Sequence, residues 1–111
     1  MFQIDINDPN LILRDRPTNW GTRVLLFNGE NFTGTVYEYY PNSTQLSSES
    51  EYVDGIADGR QVEYWPNRNK KEEYYQKYDH TINSYKIWNE QGILISHSEY
   101  NSIGNLIKKI I

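Results

Sequence analysis

The chain reads Gly34-Thr-Val-Tyr-Glu-Tyr-Tyr-Pro-Asn42 and, 25 positions later, Gly59-Arg-Gln-Val-Glu-Tyr-Trp-Pro-Asn67. A third copy, Ser84-Tyr-Lys-Ile-Trp-Asn-Glu-Gln-Gly92, follows at an offset of 23 and places Trp88 in the column of Tyr40 and Trp65. Self-similarity at such a period is typical of one supersecondary unit repeated along the chain. The fold class therefore follows from the structure of this unit.

Each copy predicts a strand, a turn, a second strand and a second turn. The strands are rich in Tyr, Val, Ile and Trp, which favour a pleated surface, and no copy shows a helical spacing of apolar residues. Asn28-Gly29 and Asp54-Gly55 are two-residue hairpin signals, and Ile103-Gly104-Asn105 marks a last hairpin. We expect an all-β fold, an antiparallel meander of β-hairpins repeated every 23–25 residues. A short N-terminal helical turn is expected around Asp8-Pro9-Asn10.

The 111 residues fit a single domain with a core of modest size. Residues 1–22 match no copy of the repeat and form a lead-in, in which Leu11-Ile12-Leu13 and Trp20 are expected to pack on the sheet. Residues 23–111 hold three hairpin repeats and a C-terminal hairpin. The sequence has no apolar run of membrane-spanning length and no secretory pattern at its N-terminus, so it predicts a cytoplasmic protein.

Side chains alternate along a strand, which divides each copy between two faces. One face is uniformly apolar and is the expected core face: Tyr37, Tyr39, Val62, Tyr64, Tyr85 and Ile87. The other face mixes charge with large rings: Glu38, Tyr40, Glu63, Trp65, Lys86 and Trp88. Rings beside carboxylates are typical of a binding surface. The alternative is that the three rings Tyr40, Trp65 and Trp88 cap the end of the sheet and cover the following hairpin.

The net charge of −4 is unevenly distributed. Residues 1–59 carry nine acidic and three basic side chains, a balance of −6, whereas residues 60–111 carry +2. Four acids and no base lie between Asn42 and Gly59, namely Glu49, Glu51, Asp54 and Asp58. This stretch is either a solvated strand and turn or an acidic surface that meets a basic partner such as a nuclease. An acidic chain lacks the basic footprint that direct binding of nucleic acid requires.

The residues that most enzymes and metal sites use are scarce. There is no Cys, and the two His residues, His80 and His97, lie in non-equivalent places. Glu38 and Glu63 recur at the same position of successive units, so they are interpreted as a surface ladder continued by Lys86, not as a pair of catalytic carboxylates. We therefore expect no catalytic residue, no metal and no cofactor.

The segment Phe27-Asn-Gly-Glu-Asn-Phe-Thr-Gly34, followed by Tyr52-Val-Asp-Gly55 and Gly59, resembles the MORN-variant repeat, and in particular that of the YwqK family of antitoxins. The resemblance extends over about residues 24–106. It implies a sheet of repeated hairpins and a gene paired with that of a toxin.

The leading hypothesis is an immunity protein, or antitoxin, that binds a cognate toxin and neutralises it by stoichiometric occlusion. The predicted partner-binding residues are Glu38, Tyr40, Glu49, Glu51, Asp54, Asp58, Glu63, Trp65 and Trp88. The alternative is a general MORN-like scaffold for contacts with proteins or membranes. Only Lys108-Lys109 with Ile110-Ile111 hints at a membrane, and an edge strand guarded by lysines explains it as well. We expect no membrane partner, and a monomer or a homodimer paired through Leu106–Ile111 or Arg23–Phe27.

Overall fold

The computed structural model describes residues 2–15, 23–77 and 80–111. The residues outside this description are Met1, residues 16–22, which include Trp20, and residues 78–79. Within the described part every regular element is a strand, as the repeat predicts. The strands are β1 (Gln3–Asp5), β2 (Leu11–Asp15), β3 (Arg23–Phe27), β4 (Glu30–Asn31), β5 (Gly34–Tyr39), β6 (Leu46–Val53), β7 (Ile56–Tyr64), β8 (Lys70–Lys77), β9 (His80–Trp88), β10 (Leu94–Tyr100) and β11 (Leu106–Lys109).

Eight of these strands form one sheet in the order β1-β5-β6-β7-β8-β9-β10-β11. From β5 to β11 each strand pairs antiparallel with the next, which confirms the predicted meander. β1 departs from the prediction because it pairs parallel with β5, with Ile4 beside Val36. The described part of the chain contains no helix of the length and apolarity that a membrane span needs.

A second, three-stranded sheet in the order β2-β3-β4 packs on one end of the large sheet. The buried core lies between them and contains Ile4, Leu25, Phe32 and Val36, with Leu11, Phe27 and Tyr52 packed around it. The Leu25 amide donates a hydrogen bond to the Gly55 carbonyl over 2.8 Å, which ties the β6–β7 hairpin tip to the small sheet. β3 lies between β2 and β4, so the expected edge pairing through Arg23–Phe27 is wrong. β11 is an edge strand whose four residues are all exposed.

The two-residue hairpins are confirmed by their backbone angles. Asn28 and Gly29 have φ of 52° and 84°, and Asp54 and Gly55 have φ of 50° and 81°. Two successive positive φ angles are what a tight hairpin with right-handed strand twist needs, and Asn-Gly and Asp-Gly adopt them with the least strain.

The predicted N-terminal helical turn is wrong. Residues between β1 and β2 form two successive turns, closed by hydrogen bonds from Asp8 N to Asp5 O and from Leu11 N to Asp8 O at 3.0 and 3.1 Å. The carboxylate of Asp5 accepts a hydrogen bond from the main-chain amide of Asn7, and that of Asp8 accepts one from the main-chain amide of Asn10, both over 2.8 Å. Aspartate side chains that bond the backbone two residues ahead stabilise turns in competition with a helix.

Three turns of related geometry close the hairpins at one end of the large sheet, called here the turn end. The amide of the first turn residue donates to the carbonyl of the last, from Tyr40 to Gln45, from Trp65 to Asn69 and from Asn89 to Ile93. Tyr40, Trp65 and Asn89 are therefore equivalent, at offsets of 25 and 24. Trp88 pairs with Leu94 as Tyr64 pairs with Lys70, so the offset of 23 is wrong and Trp88 belongs one column earlier.

A shift of one residue moves every side chain of strand β9 to the opposite face of the sheet, because neighbouring residues of a strand point to opposite faces. The front face carries the cross-strand row Tyr37, Glu49, Val62, Glu73, Lys86 and His97. The back face carries the row Glu38, Ser48, Glu63, Glu72, Ile87 and Ser96. Tyr85 and Ile87 are thus on the face opposite to the one predicted, and so is Lys86.

The prediction of which residues form the core is largely wrong as well. Val62 is buried, with 2% of its surface exposed, but Tyr39 is 40% exposed, and the other four expected core residues are half-buried. The small sheet covers the back face at the end opposite to the turn end, over Val36 and Tyr52. The core therefore forms where two layers meet, and the C-terminal strands form a single layer.

Candidate functional site

Three carboxylates lie in one cross-strand row on the back face near the turn end. Glu38 is paired with Ser48, Ser48 with Glu63, and Glu63 with Glu72. We call Glu38, Glu63 and Glu72 the acidic row. The structure places Glu38 and Glu63 in one row as predicted, but Ile87 occupies the position in β9 that the sequence analysis gave to Lys86, and Glu72 joins the row from β8.

The acidic row contains an unfavourable juxtaposition of like charges. Glu63 and Glu72 are directly opposite each other on neighbouring strands, an arrangement that destabilises a sheet. Partial burial raises the pKa of the Glu72 carboxyl, and the charge of Glu63 raises it further, against the opposing charge of Lys71. Lys71 Nζ lies 4.0 Å from Glu63 Oε2, at the outer limit of an ion pair, and both side chains are nearly half exposed. The row therefore keeps an excess of negative charge.

A stacked pair of rings lies beside the acidic row on the same face. Tyr74 and Tyr85 are cross-strand partners, with ring centroids 4.8 Å apart and an angle of 8° between the planes. Burial raises the pKa of the Tyr74 hydroxyl, and the charges of Glu72 and Glu63 add to this effect. Sequence analysis missed Glu72 and Tyr74 as surface partners. The correct 24-residue offset, which aligns Glu72 with Ser48, is the signal that would have found them.

Tyr40 and Trp65 lie at the turn end, where both hold neighbouring repeats together. The Tyr40 hydroxyl donates a hydrogen bond to the Tyr64 carbonyl, and Trp65 Nε1 donates to the Trp88 carbonyl over 3.1 Å. Lys71 Nζ lies 4.9 Å from the centre of a Trp65 ring. Both aromatic side chains are half-buried. These contacts favour the capping alternative for Tyr40 and Trp65, while each ring still offers part of its surface to solvent.

The other predicted residues are not part of this cluster. Glu49 lies on the front face, where it accepts the Tyr64 hydroxyl over 2.9 Å. Trp88 occupies the column of Tyr64, and Lys70 Nζ lies 5.5 Å from its ring centre. Glu51 accepts the Arg60 amide over 2.7 Å.

Asp54 is exposed at the tip of the β6–β7 hairpin, and Asp58 is half-buried a few residues further along β7. Both are at the end of the large sheet opposite to the turn end. The nine predicted residues are thus divided between the two faces and the two ends of the sheet.

The front face has a charge network centred on a buried carboxylate. Glu73 Oε2 accepts a hydrogen bond from Arg60 Nε over 2.6 Å and another from Lys70 Nζ over 3.2 Å. Burial by itself would raise the pKa of Glu73, but the hydrogen bonds from Arg60 and Lys70 outweigh it and lower the pKa below 4.5. The charge of Glu73 is therefore compensated internally, in contrast to that of the acidic row.

These arrangements indicate what each face can do. In the described residues no group of three His, Asp or Glu side chains is placed to hold a metal ion. The acidic row, with Trp65 and the Tyr74–Tyr85 pair, offers negative charge beside apolar ring surface, which suits contact with basic and aromatic groups of another protein. Comparison of the chain with protein-family models, with curated proteins and with solved structures finds no match.

Proposed function

We propose that the protein is an immunity protein, or antitoxin, which binds a basic toxin in the cytoplasm and blocks it by stoichiometric occlusion. The observation that carries the proposal is the acidic row on the open end of the back face, where Glu38, Glu63 and Glu72 are aligned. The resemblance of the repeat to MORN-variant antitoxins supports the choice of a toxin as the partner.

The mechanism that we propose separates encounter from affinity. The excess negative charge of the acidic row attracts a basic surface and speeds association. Affinity then comes from a few ring contacts, for which the half-buried Trp65 and the stacked Tyr74–Tyr85 pair are placed beside the row. Binding also relieves the repulsion between Glu63 and Glu72, because basic groups of the toxin neutralise both carboxylates.

The first experiment is co-expression with the product of the neighbouring open reading frame. The expected result is a one-to-one complex on pull-down and protection of the cell from that product. The test variant is Glu38→Lys with Glu63→Lys, which reverses two charges of the row and leaves Glu72 in place. The matched control is Glu30→Lys with Glu90→Lys, at two exposed positions outside the row.

We expect the test variant to lose protection and the control variant to keep it. Equal protection by both variants would remove the acidic row from the binding surface. If the wild-type protein neither binds nor protects against the neighbouring product, the antitoxin proposal fails, and the general interaction scaffold takes its place.

A further inference from the structure

A depression of about 260 Å³ opens on the front face at the β5–β6 hairpin, opposite to the acidic row. It is lined by Gln3, Tyr37, Tyr39, Leu46 and Glu49. Tyr37 and Glu49 are direct cross-strand partners, so a ring and a carboxylate stand side by side in its wall. Its chemistry therefore combines one negative charge with two aromatic rings, an amide and an aliphatic side chain.

The two rings form a corner of the depression. The centroids of Tyr37 and Tyr39 are 5.4 Å apart, and their planes meet at 62°. A ring face carries partial negative charge, which attracts a cation within about 6 Å of the centroid. Tyr39 is 40% exposed, so its ring is accessible to a ligand that enters from solvent.

The carboxylate of Glu49 is held in place by a neutral group. Tyr64 Oη donates a hydrogen bond to Glu49 Oε1 over 2.9 Å, and two cations of this face, Arg60 and Lys70, are bonded to Glu73. Arg60 also interacts with the Tyr64 hydroxyl. The two oxygens of a carboxylate can together accept several hydrogen bonds, so one bond from Tyr64 leaves Glu49 able to accept others. Burial raises the pKa of the Tyr64 hydroxyl, and its hydrogen bond to Glu49 adds to this effect and outweighs the opposing influence of Arg60, so the hydroxyl stays a proton donor to Glu49 at neutral pH. Glu49 is thus oriented and still able to accept from a ligand.

We propose that this depression binds the guanidinium group of an arginine side chain from another polypeptide. A planar guanidinium can lie against a tyrosine ring and at the same time donate hydrogen bonds in its own plane to the oxygens of Glu49 and Gln3. A lysine ammonium matches the carboxylate as a point charge but lacks the flat surface that the Tyr37–Tyr39 corner accommodates. The site is independent of the acidic row, because it lies on the other face of the sheet.

The test is a titration of the whole protein followed by NMR of the Tyr37 and Tyr39 ring protons. The ligands are N-acetyl-arginine amide and N-acetyl-citrulline amide, which have the same shape but differ in charge. A third ligand, N-acetyl-trimethyllysine amide, distinguishes a guanidinium site from a general aromatic cage for quaternary ammonium groups. The variant is Glu49→Gln, whose amide oxygen can still accept the Tyr64 hydroxyl and so preserves the fold, and the control is Glu90→Gln at an exposed turn position.

We expect saturable shifts with the arginine ligand and binding of the citrulline ligand that is weaker by about tenfold. Glu49→Gln should weaken arginine binding by a similar factor, and Glu90→Gln should leave it unchanged. Equal binding of arginine and citrulline, the absence of saturable shifts at Tyr37 and Tyr39, or unchanged binding by Glu49→Gln overturns the proposal. Tighter binding of the trimethyllysine ligand than of arginine overturns the assignment to guanidinium. None of these outcomes bears on binding through the acidic row.

Discussion

The indole nitrogen of Trp65 donates a hydrogen bond to the main-chain carbonyl of Trp88, 3.1 Å away and 23 residues further along the chain. Tyr40 makes the same kind of bond one unit earlier, from its hydroxyl to the carbonyl of Tyr64. Each donor residue is the first residue of its turn, and each acceptor residue is the last residue of the first strand of the next unit. In repeat proteins such nearest-neighbour contacts supply much of the stability, and here they join single-layer hairpins that have little core of their own.

Removing either donor should weaken the sheet. We expect Trp65→Phe to lower the free energy of unfolding by about 1–2 kcal/mol, because it removes the indole donor and part of a half-buried ring. Tyr40→Phe should cost about 1 kcal/mol through loss of the hydroxyl alone. The control Tyr39→Phe, at an exposed ring, should change stability by less than about 0.5 kcal/mol. Urea unfolding measures all three, and equal effects at residues 39 and 40 would show that the Tyr40 bond carries no net stability.

Two glycines with nearly the same φ angle allow the free-energy cost of backbone strain to be measured separately from that of a steric clash. Gly29 has φ of 84° and would meet nothing within 4 Å if it carried a Cβ atom, whereas a Cβ on Gly55 (φ 81°) would lie 2.3 Å from Val24 Cγ1. Gly29→Ala should therefore destabilise by about 1 kcal/mol through backbone strain alone.

Gly55→Ala should cost about 2 kcal/mol more than Gly29→Ala, because the hairpin tip must move away from the small sheet. Thermal or urea unfolding of the two variants gives the difference directly. If both substitutions cost the same, the close packing of the β6–β7 tip on β3 does not occur in solution.

The Glu73 network should make the fold sensitive to acid. The pKa of Glu73 is lowered in the folded protein, so its stabilising contribution is present above 4.5 and is lost as the pH falls through the lower folded value. Glu73→Gln should cost about 2 kcal/mol near neutral pH, because it leaves Arg60 and Lys70 without their anionic partner. This deficit should shrink in acid. A pH-independent difference in unfolding free energy between wild type and variant would contradict the account, and Glu30→Gln is the control.

Glu72 should show the opposite dependence on pH. Burial and the charge of Glu63 raise its pKa, so the folded state binds the proton more tightly than the unfolded state does. Stability therefore falls as the pH rises from 4.5 through the raised folded value. Glu72→Gln should be more stable than wild type at neutral pH and should lose this advantage below pH 4.5. Unfolding curves over this pH range test it, and a variant less stable than wild type at neutral pH would contradict the assigned repulsion.

The two-residue hairpin turns were the part of the fold that the sequence predicted best. Asn28-Gly29 and Asp54-Gly55 favour positive φ through their own backbones, so no distant contact is needed to identify them. The parallel pairing of β1 and the cover provided by the small sheet depend on contacts between distant segments such as Ile4 and Val36, for which the chain carries no periodic signal.

The site was harder to predict because aromatic residues occupy adjacent columns of the repeat. Tyr64 and Trp65 are both aromatic, so Trp88 could be matched to either, and matching it to Trp65 inverted the face assigned to the third unit. The same misalignment placed Lys86 in the cross-strand row of the acidic residues, where the structure has Ile87. Glu49 and Glu51 lie on the front face, opposite to the acidic row, and Asp54 lies beyond the end of β6, at the hairpin tip, so residues that are close in sequence do not join the row.

The most direct test of the central claim is the association rate constant of the protein with the product of the neighbouring open reading frame, measured by stopped flow from low to high salt. The wild-type rate should fall steeply as the ionic strength rises. Glu38→Lys with Glu63→Lys should associate about tenfold more slowly at low salt, with a flattened salt dependence, while Glu30→Lys with Glu90→Lys stays close to wild type. Equal rates and equal salt dependence for the wild type and the row variant would contradict the proposal that the acidic row meets a basic toxin.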